Sequence, residues 1–125
     1  MLTPEEIFIT DHTELFLDLY RFGNSKSPRF DNIRPNKDAK IQDRAGIKYI
    51  IADGNGISAF SSLPQGKKNT WKIRKGTPLP PGVKFVIDKR PNHETHYMLA
   101  PERTMKLSEF HALMDKVREH AIKIN

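Results

Sequence analysis

The chain is 125 residues long, 37% hydrophobic and 29% charged, with 21 Lys and Arg against 15 Asp and Glu for a net charge of +6. That length falls in the one-domain range and suffices for one modest core, so a single domain over residues 1–125 is expected. With no cysteine, disulfide frameworks and thiolate metal sites are excluded, and a fold held by packing alone would survive a reducing cytoplasm. No apolar run approaches the ~20 residues that cross a bilayer, and the acidic start Met1-Leu2-Thr3-Pro4-Glu5-Glu6 does not read as an export signal, so no membrane association is expected. The positive charge, spread from Arg21 to Lys123, favours an anionic partner: a nucleotide, a nucleic acid or an acidic protein.

In chain order, Thr3-Pro4-Glu5-Glu6 is a helix-start pattern and predicts a short helix or turn. The second half of Leu15-Phe16-Leu17-Asp18-Leu19-Tyr20-Arg21-Phe22 reads as a strand ending at Gly23-Asn24. Residues 24–38 form a long polar loop whose Arg29, Phe30 and Arg34 suit phosphate and ring recognition, although a solvated loop would look the same. Residues 46–52 predict a strand, and Asp53-Gly54-Asn55-Gly56 a tight turn leading into its pairing partner at 57–61. Three more strands are expected at 71–74, 84–89 and 95–99, with the proline-rich segment 76–82 as a rigid turn or edge. Phe110, Leu113, Met114, Val117, Ala121 and Ile124 mark one face of a C-terminal amphipathic helix with Ser108 at its N-cap. The class is therefore α+β, with a mostly antiparallel sheet.

Few residues carry obvious chemistry. Gly54-Asn55-Gly56 lacks the later Lys-Ser/Thr of a phosphate loop and reads as a turn. His93 and His96, three apart, would face opposite sides of a strand, so no metal site is expected. His96 shares a strand face with Met98, which leaves either a structural histidine bonded to backbone or a functional one. Ser58 shares a face with Phe60, where a hydroxyl beside a ring can orient a ligand; with no Gly-x-Ser-x-Gly elbow it is not read as an acyl-transfer nucleophile.

Taken in order, Leu19-Tyr20-Arg21, Gly56-Ile57-Ser58-Ala59-Phe60, Gly76-Thr77-Pro78-Leu79-Pro80-Pro81-Gly82 and Thr95-His96-Tyr97, with Pro101 and Met105 before the last helix, resemble bacterial type VI secretion effector toxins with an ADP-ribosyltransferase-like fold and NAD-dependent toxicity. The resemblance implies a split β-sandwich of two antiparallel sheets with a C-terminal helix, NAD lying in the cleft between them. It assigns Arg21 to the phosphate or ribose of NAD, Ser58 to the serine of the Arg-Ser-Glu class, and Tyr20, Phe60, His96 and Tyr97 to the walls of the cleft. From its charge and length, not from the resemblance, the loop carrying Arg29 and Arg34 is expected to fold over the pyrophosphate. Two departures stand out: Ile57 occupies a position where the family carries Thr or Ser, and Glu94, Glu102 and Glu109 lie outside a Gln/Glu-x-Glu setting. Of these Glu94 is taken as the catalytic carboxylate.

The implied activity is ADP-ribose transfer to a macromolecule, or NAD hydrolysis, in a cytoplasm. An acidic antitoxin or immunity protein is the expected partner. The alternative is a basic toxin that binds nucleic acid, or cleaves RNA through His96 with Tyr97 or Lys84, without NAD. The first reading requires Arg21, Ser58 and His96 to converge on one groove.

Overall fold

A computed structural model describes residues 1–63 and 66–125. After a 3-10 turn at Pro4–Glu6 come β1 (Ile7–Ile9), β2 (Leu19–Phe22), β3 (Ile41–Arg44), β4 (Ile47–Ile50), β5 (Ile57–Phe60), β6 (Thr70–Ile73), β7 (Val83–Asp88), β8 (His96–Pro101), β9 (Met105–Lys106), α1 (Leu107–Arg118) and β10 (Ala121–Lys123). The strands form a large sheet in the order β1-β7-β8-β5-β2-β6-β10 and a small one in the order β3-β4-β9. Every pairing within them is antiparallel.

Strand alternation builds the core. Leu19, Ile57, Ala59, Ile73, Phe85 and Leu99 of the large sheet join Ile50 and Met105 of the small one, and α1 adds Phe110, Met114 and Val117. Each fully buried Leu, Ile or Phe side chain stabilises the fold by about 1.5–3 kcal/mol. A second cluster, Ile7, Val86, Met98 and Ala100 with Leu2 packed on it, covers the other face of β7 and β8.

Three expectations are corrected. Residues 57–60 do not pair with residues 47–50: the turn at 53–56 carries the chain from the small sheet into the middle of the large one, where β5 lies between β8 and β2. The partner of β4 is β3, joined through Ala45 and Gly46, both at positive φ (54° and 83°), with Asp43 Oδ1 accepting from Gly46 N. The helix ends at Arg118, because residues 121–123 extend along the edge of β6 as β10 instead of continuing the helical face. Its N-cap is Lys106, without a side-chain cap, so Ser108 lies inside the first turn.

The large sheet is incompletely zipped at its centre. β2 pairs with β6 over four residues but with β5 only at Tyr20↔Phe60. On its other side β5 is held over four residues to β8. Gly56 makes that approach possible, since a Cβ there would strike Leu99 O and Ala100 Cα, backbone atoms with nowhere to move. Gly56→Ala is expected to destabilise the fold by roughly 1–3 kcal/mol, read as a lower urea midpoint at unchanged m-value; an unshifted midpoint would contradict the close approach.

Candidate active site

Ser58 and His96 meet across the β5–β8 pairing. Alternation turns Ser58 and Phe60 to the face of β5 opposite the buried Ile57 and Ala59. The register sets Ser58 against Met98 and Phe60 against His96, so serine and histidine are diagonal neighbours. His96 Nε2 lies 3.0 Å from Ser58 Oγ and Nδ1 lies 2.6 Å from Asp88 Oδ2. Asp88 reaches this place because it ends β7 one step beyond the Ile87↔Tyr97 pair, which sets it across from His96.

The Asp88 side chain is fully buried, and Arg90 grips it from the other side. Arg90 Nη2 donates to Oδ2 at 2.7 Å and Nε to Oδ1 at 3.1 Å, while the Arg90 backbone N–H donates to Oδ1 at 3.0 Å. Burial alone would raise the Asp88 carboxyl, but the hydrogen bonds from Arg90 and His96 outweigh it and hold the group well below the usual carboxylate range. An ionised Asp88 assigns the imidazole proton to Nδ1 and leaves Nε2 to accept from the Ser58 hydroxyl. Sequence reasoning missed Asp88 and Arg90. The available signal was the β7–β8 hairpin itself, which sets the carboxylate opposite the histidine.

His93 corrects another expectation. It sits at the entrance to β8, as its place beside Pro91-Asn92 suggests, but it does not face away from His96: the two ring centroids are 6.5 Å apart. Ligand atoms of Asp88, His93 and His96 lie within 4.8 Å of one another. The Arg90 guanidinium occupies their common neighbourhood, 3.3 Å from His93 Nδ1, and supplies the positive charge a metal would bring.

Arg21 spans the opening between β2 and β5. Its Nη1 donates to Ser58 O at 2.6 Å, its Nε to Pro28 O at 2.8 Å and its Nη2 to Arg29 O at 2.9 Å. Burial pushes the guanidinium down to about 10, Asp38 and Asp31 pulling it back up, so it remains charged at neutral pH. Arg21, Ser58 and His96 therefore form one connected chain, in which Arg21 holds backbone. Arg34 pairs bidentately with Asp38, Nη2 to Oδ1 at 2.9 Å, and this pair anchors the loop where Lys37 and Asp38 line a cavity. Arg29 faces a different hollow, beside Asp31, Asp115 and Arg118.

The cavity, about 150 Å³, is walled by Ser58, His96, Met98 and Asn55, with Lys37, Asp38 and Arg90 beside them. Leu2 forms another wall, clasped by Asn55 through Leu2 N–H to Oδ1 at 2.8 Å and Nδ2 to Leu2 O at 3.0 Å. Phe60, whose ring centroid is 5.4 Å from that of His96, lines a second hollow of about 250 Å³ with Phe22, Ser62 and Lys67.

Other expected residues lie elsewhere. Tyr97 alternates to the core face of β8 and stacks on Phe85 at 5.1 Å, so it does not line the His96 cavity. Lys84 sits opposite Ala100, toward the far end of β8, so neither Tyr97 nor Lys84 assembles with His96 as an RNA-cleaving pair. Glu94 is in the exposed turn, accepting from Asn92 N at 3.2 Å. Tyr20 packs its ring 6.0 Å from Lys72 Nζ. Among the described residues no glutamate lines the cavity; its carboxylate is Asp38, held below the ordinary range because the Arg34 hydrogen bonds outweigh burial.

Two outcomes follow from this geometry. Because the Asp88 pKa is depressed in the folded chain, its stabilisation is present above the unfolded value of about 4 and is lost as pH falls through the folded one. Asp88→Asn is expected to cost roughly 3 kcal/mol at neutral pH and to flatten the loss of stability below about pH 4; urea titrations in which the variant tracks the parent there would contradict the pairing. Arg21→Lys offers one ammonium in place of a fork serving three carbonyls, and is expected to lose about 2 kcal/mol, measured by the same titration.

The family model of the Tse2 ADP-ribosyltransferase toxin matches residues 17–124, which include every strand of the large sheet except β1. No curated protein matches, and no solved structure does. Two antiparallel sheets with one helix near the C-terminus fit the split β-sandwich of ADP-ribosyltransferases. With the family match extending across the serine, the histidine and the aspartate of the site, the chain belongs to the Tse2 ADP-ribosyltransferase toxin family.

Proposed function

We propose that this toxin binds NAD with its nicotinamide end in the Ser58–His96 cavity and transfers ADP-ribose to a macromolecule, or to water, in the cytoplasm where it acts. The observation that carries the reading is His96, held between an ionised Asp88 and the Ser58 hydroxyl in the wall of that cavity. At about 150 Å³ the cavity is below the size of a whole-ligand pocket and suits a single ring with its amide. The rest of the dinucleotide then lies outside it, with Lys37 near the pyrophosphate and the hollow of Phe22, Phe60 and Lys67 offering aromatic faces and a cation to the adenosine.

In this reading Arg21 acts through Ser58: by holding the β5 backbone and the 28–29 loop it keeps the cleft open and the hydroxyl aimed into it. As the glycosidic bond stretches, positive charge develops on the ribose, and Asp38 is the carboxylate positioned to favour it. Glu94 plays no part in this geometry. The +6 surface suits an acidic immunity or antitoxin partner.

The test is incubation of the protein with NAD labelled in both nicotinamide and adenylate, in a cell lysate. Nicotinamide release with adenylate label on a macromolecule or in free ADP-ribose is expected. Ser58→Ala and His96→Ala should lower turnover roughly 100-fold or more while circular dichroism stays that of the parent. RNA cleavage without NAD consumption, or full turnover by His96→Ala, would overturn the proposal.

A further inference from the structure

We infer that Ser58 and His96, positioned by Asp88 and Arg90, form a proton relay, and that the ADP-ribose acceptor is therefore a hydroxyl: an alcohol side chain, a sugar hydroxyl or water. The inference rests on the NAD reading and names the acceptor that reading leaves open.

The chain of contacts is continuous and ordered. Arg90 holds Asp88 with three donors, Asp88 fixes the proton on His96 Nδ1, and Nε2 is left bare at 3.0 Å from the Ser58 oxygen. The Asp88 side chain is 0% exposed, sealed between the Arg90 guanidinium and a His96 side chain that is 15% exposed, and Ser58 and His96 open on the cavity. A merely structural histidine would need one of these bonds; this one is fixed at both nitrogens, and its outer partner is a hydroxyl with lone pairs to spare on the cavity side.

In the step this implies, the bond between ribose C1 and the nicotinamide nitrogen breaks and its electron pair neutralises the pyridinium. The acceptor oxygen forms the new bond to C1. The acceptor proton passes to Ser58 Oγ as the proton of Ser58 passes to His96 Nε2, and Asp88 stabilises the imidazolium until solvent takes the proton. NAD and an alcohol thus yield an O-linked ADP-ribose, nicotinamide and one proton.

The charges around the cavity weigh against other acceptors. A carboxylate brings no proton and would leave the relay idle. A guanidinium would bring a cation to a cavity already flanked by Arg90 and Lys37, with His93 behind Arg90 and Asp38 as the counter-charge at the wall. Glu6, 3.9 Å from Arg90 and partly exposed like it, is the carboxylate on the far side of that guanidinium. Asp88 and Arg90 are positioning residues here, and Ser58 and His96 are the groups that meet substrate.

The test combines product chemistry with kinetics of the full chain. Labelled product from NAD and lysate is treated with neutral hydroxylamine and with mercuric ion, and the modified site is located by fragmentation mass spectrometry. Label that resists both and maps to an oxygen, or free ADP-ribose alone, is expected. Label released by hydroxylamine or mercuric ion, or mapped to nitrogen or sulfur, overturns this inference while leaving NAD use standing; the absence of nicotinamide release overturns both. Asp88→Asn should lower kcat roughly 100-fold or more with KM for NAD little changed. His96→Gln, which keeps hydrogen-bonding groups but has no base, guards against a misfolded Asp88 variant and should show the same split. An unchanged kcat in a folded His96→Gln protein would also overturn the relay.

Discussion

The architecture depends on a gap held open by a cation. Two strands at the centre of an antiparallel sheet would ordinarily zip along their length, yet β2 and β5 touch at one pair before they part. Parting strands leave carbonyls without ladder partners, and a buried carbonyl without a donor costs about 1–3 kcal/mol. Arg21 answers that cost on both sides at once, since a planar guanidinium can serve Ser58 O from one edge and the loop carbonyls of Pro28 and Arg29 from the others. A single side chain thereby ties the middle strand to a loop that no sheet would otherwise fix.

The second constraint is electrostatic. Burying a carboxylate is unfavourable unless its oxygens are filled, and Asp88 fills them with one arginine and one histidine. The arrangement has a directional result: arginine cannot give up its proton, so the only member able to exchange one is the imidazole, and its exchanging nitrogen faces the cavity. The stability of the hairpin end and the poise of the site thus come from the same three side chains.

Much of this was legible in one dimension. The alternation in Ile57-Ser58-Ala59-Phe60 and in His96-Tyr97-Met98-Leu99 identifies which side chains share a face, and the meeting of Ser58 and His96 follows once those strands are neighbours, whereas Arg21 reaches them only through the Ser58 carbonyl and does not line their cavity. What escaped was relational. Asp88 reads as the polar end of a strand until β7 is folded back on β8. The same alternation that placed His96 should have turned Tyr97 away from it. The hairpin of β3 and β4 was hidden because its turn uses Ala45 at a φ of 54°, a residue that advertises nothing, and because Ile-Gln-Asp-Arg is too polar to announce a strand. At the C-terminus Ala121 and Ile124 kept helical spacing, while the exposed edge of β6 offered backbone partners that a helix could not reach.

The clasp of Asn55 on Leu2 has a practical corollary. The amide side chain of Asn55, itself 2% exposed, meets both the donor and the acceptor of Leu2 and so moors the first residues against the doorway of the cavity, with Met1 on its rim. Any polypeptide joined ahead of Met1, a purification tag included, would emerge at that doorway and compete with whatever enters it. Extensions after Asn125 would instead leave from the β6 edge, where the Asn125 side chain accepts from Thr70 N.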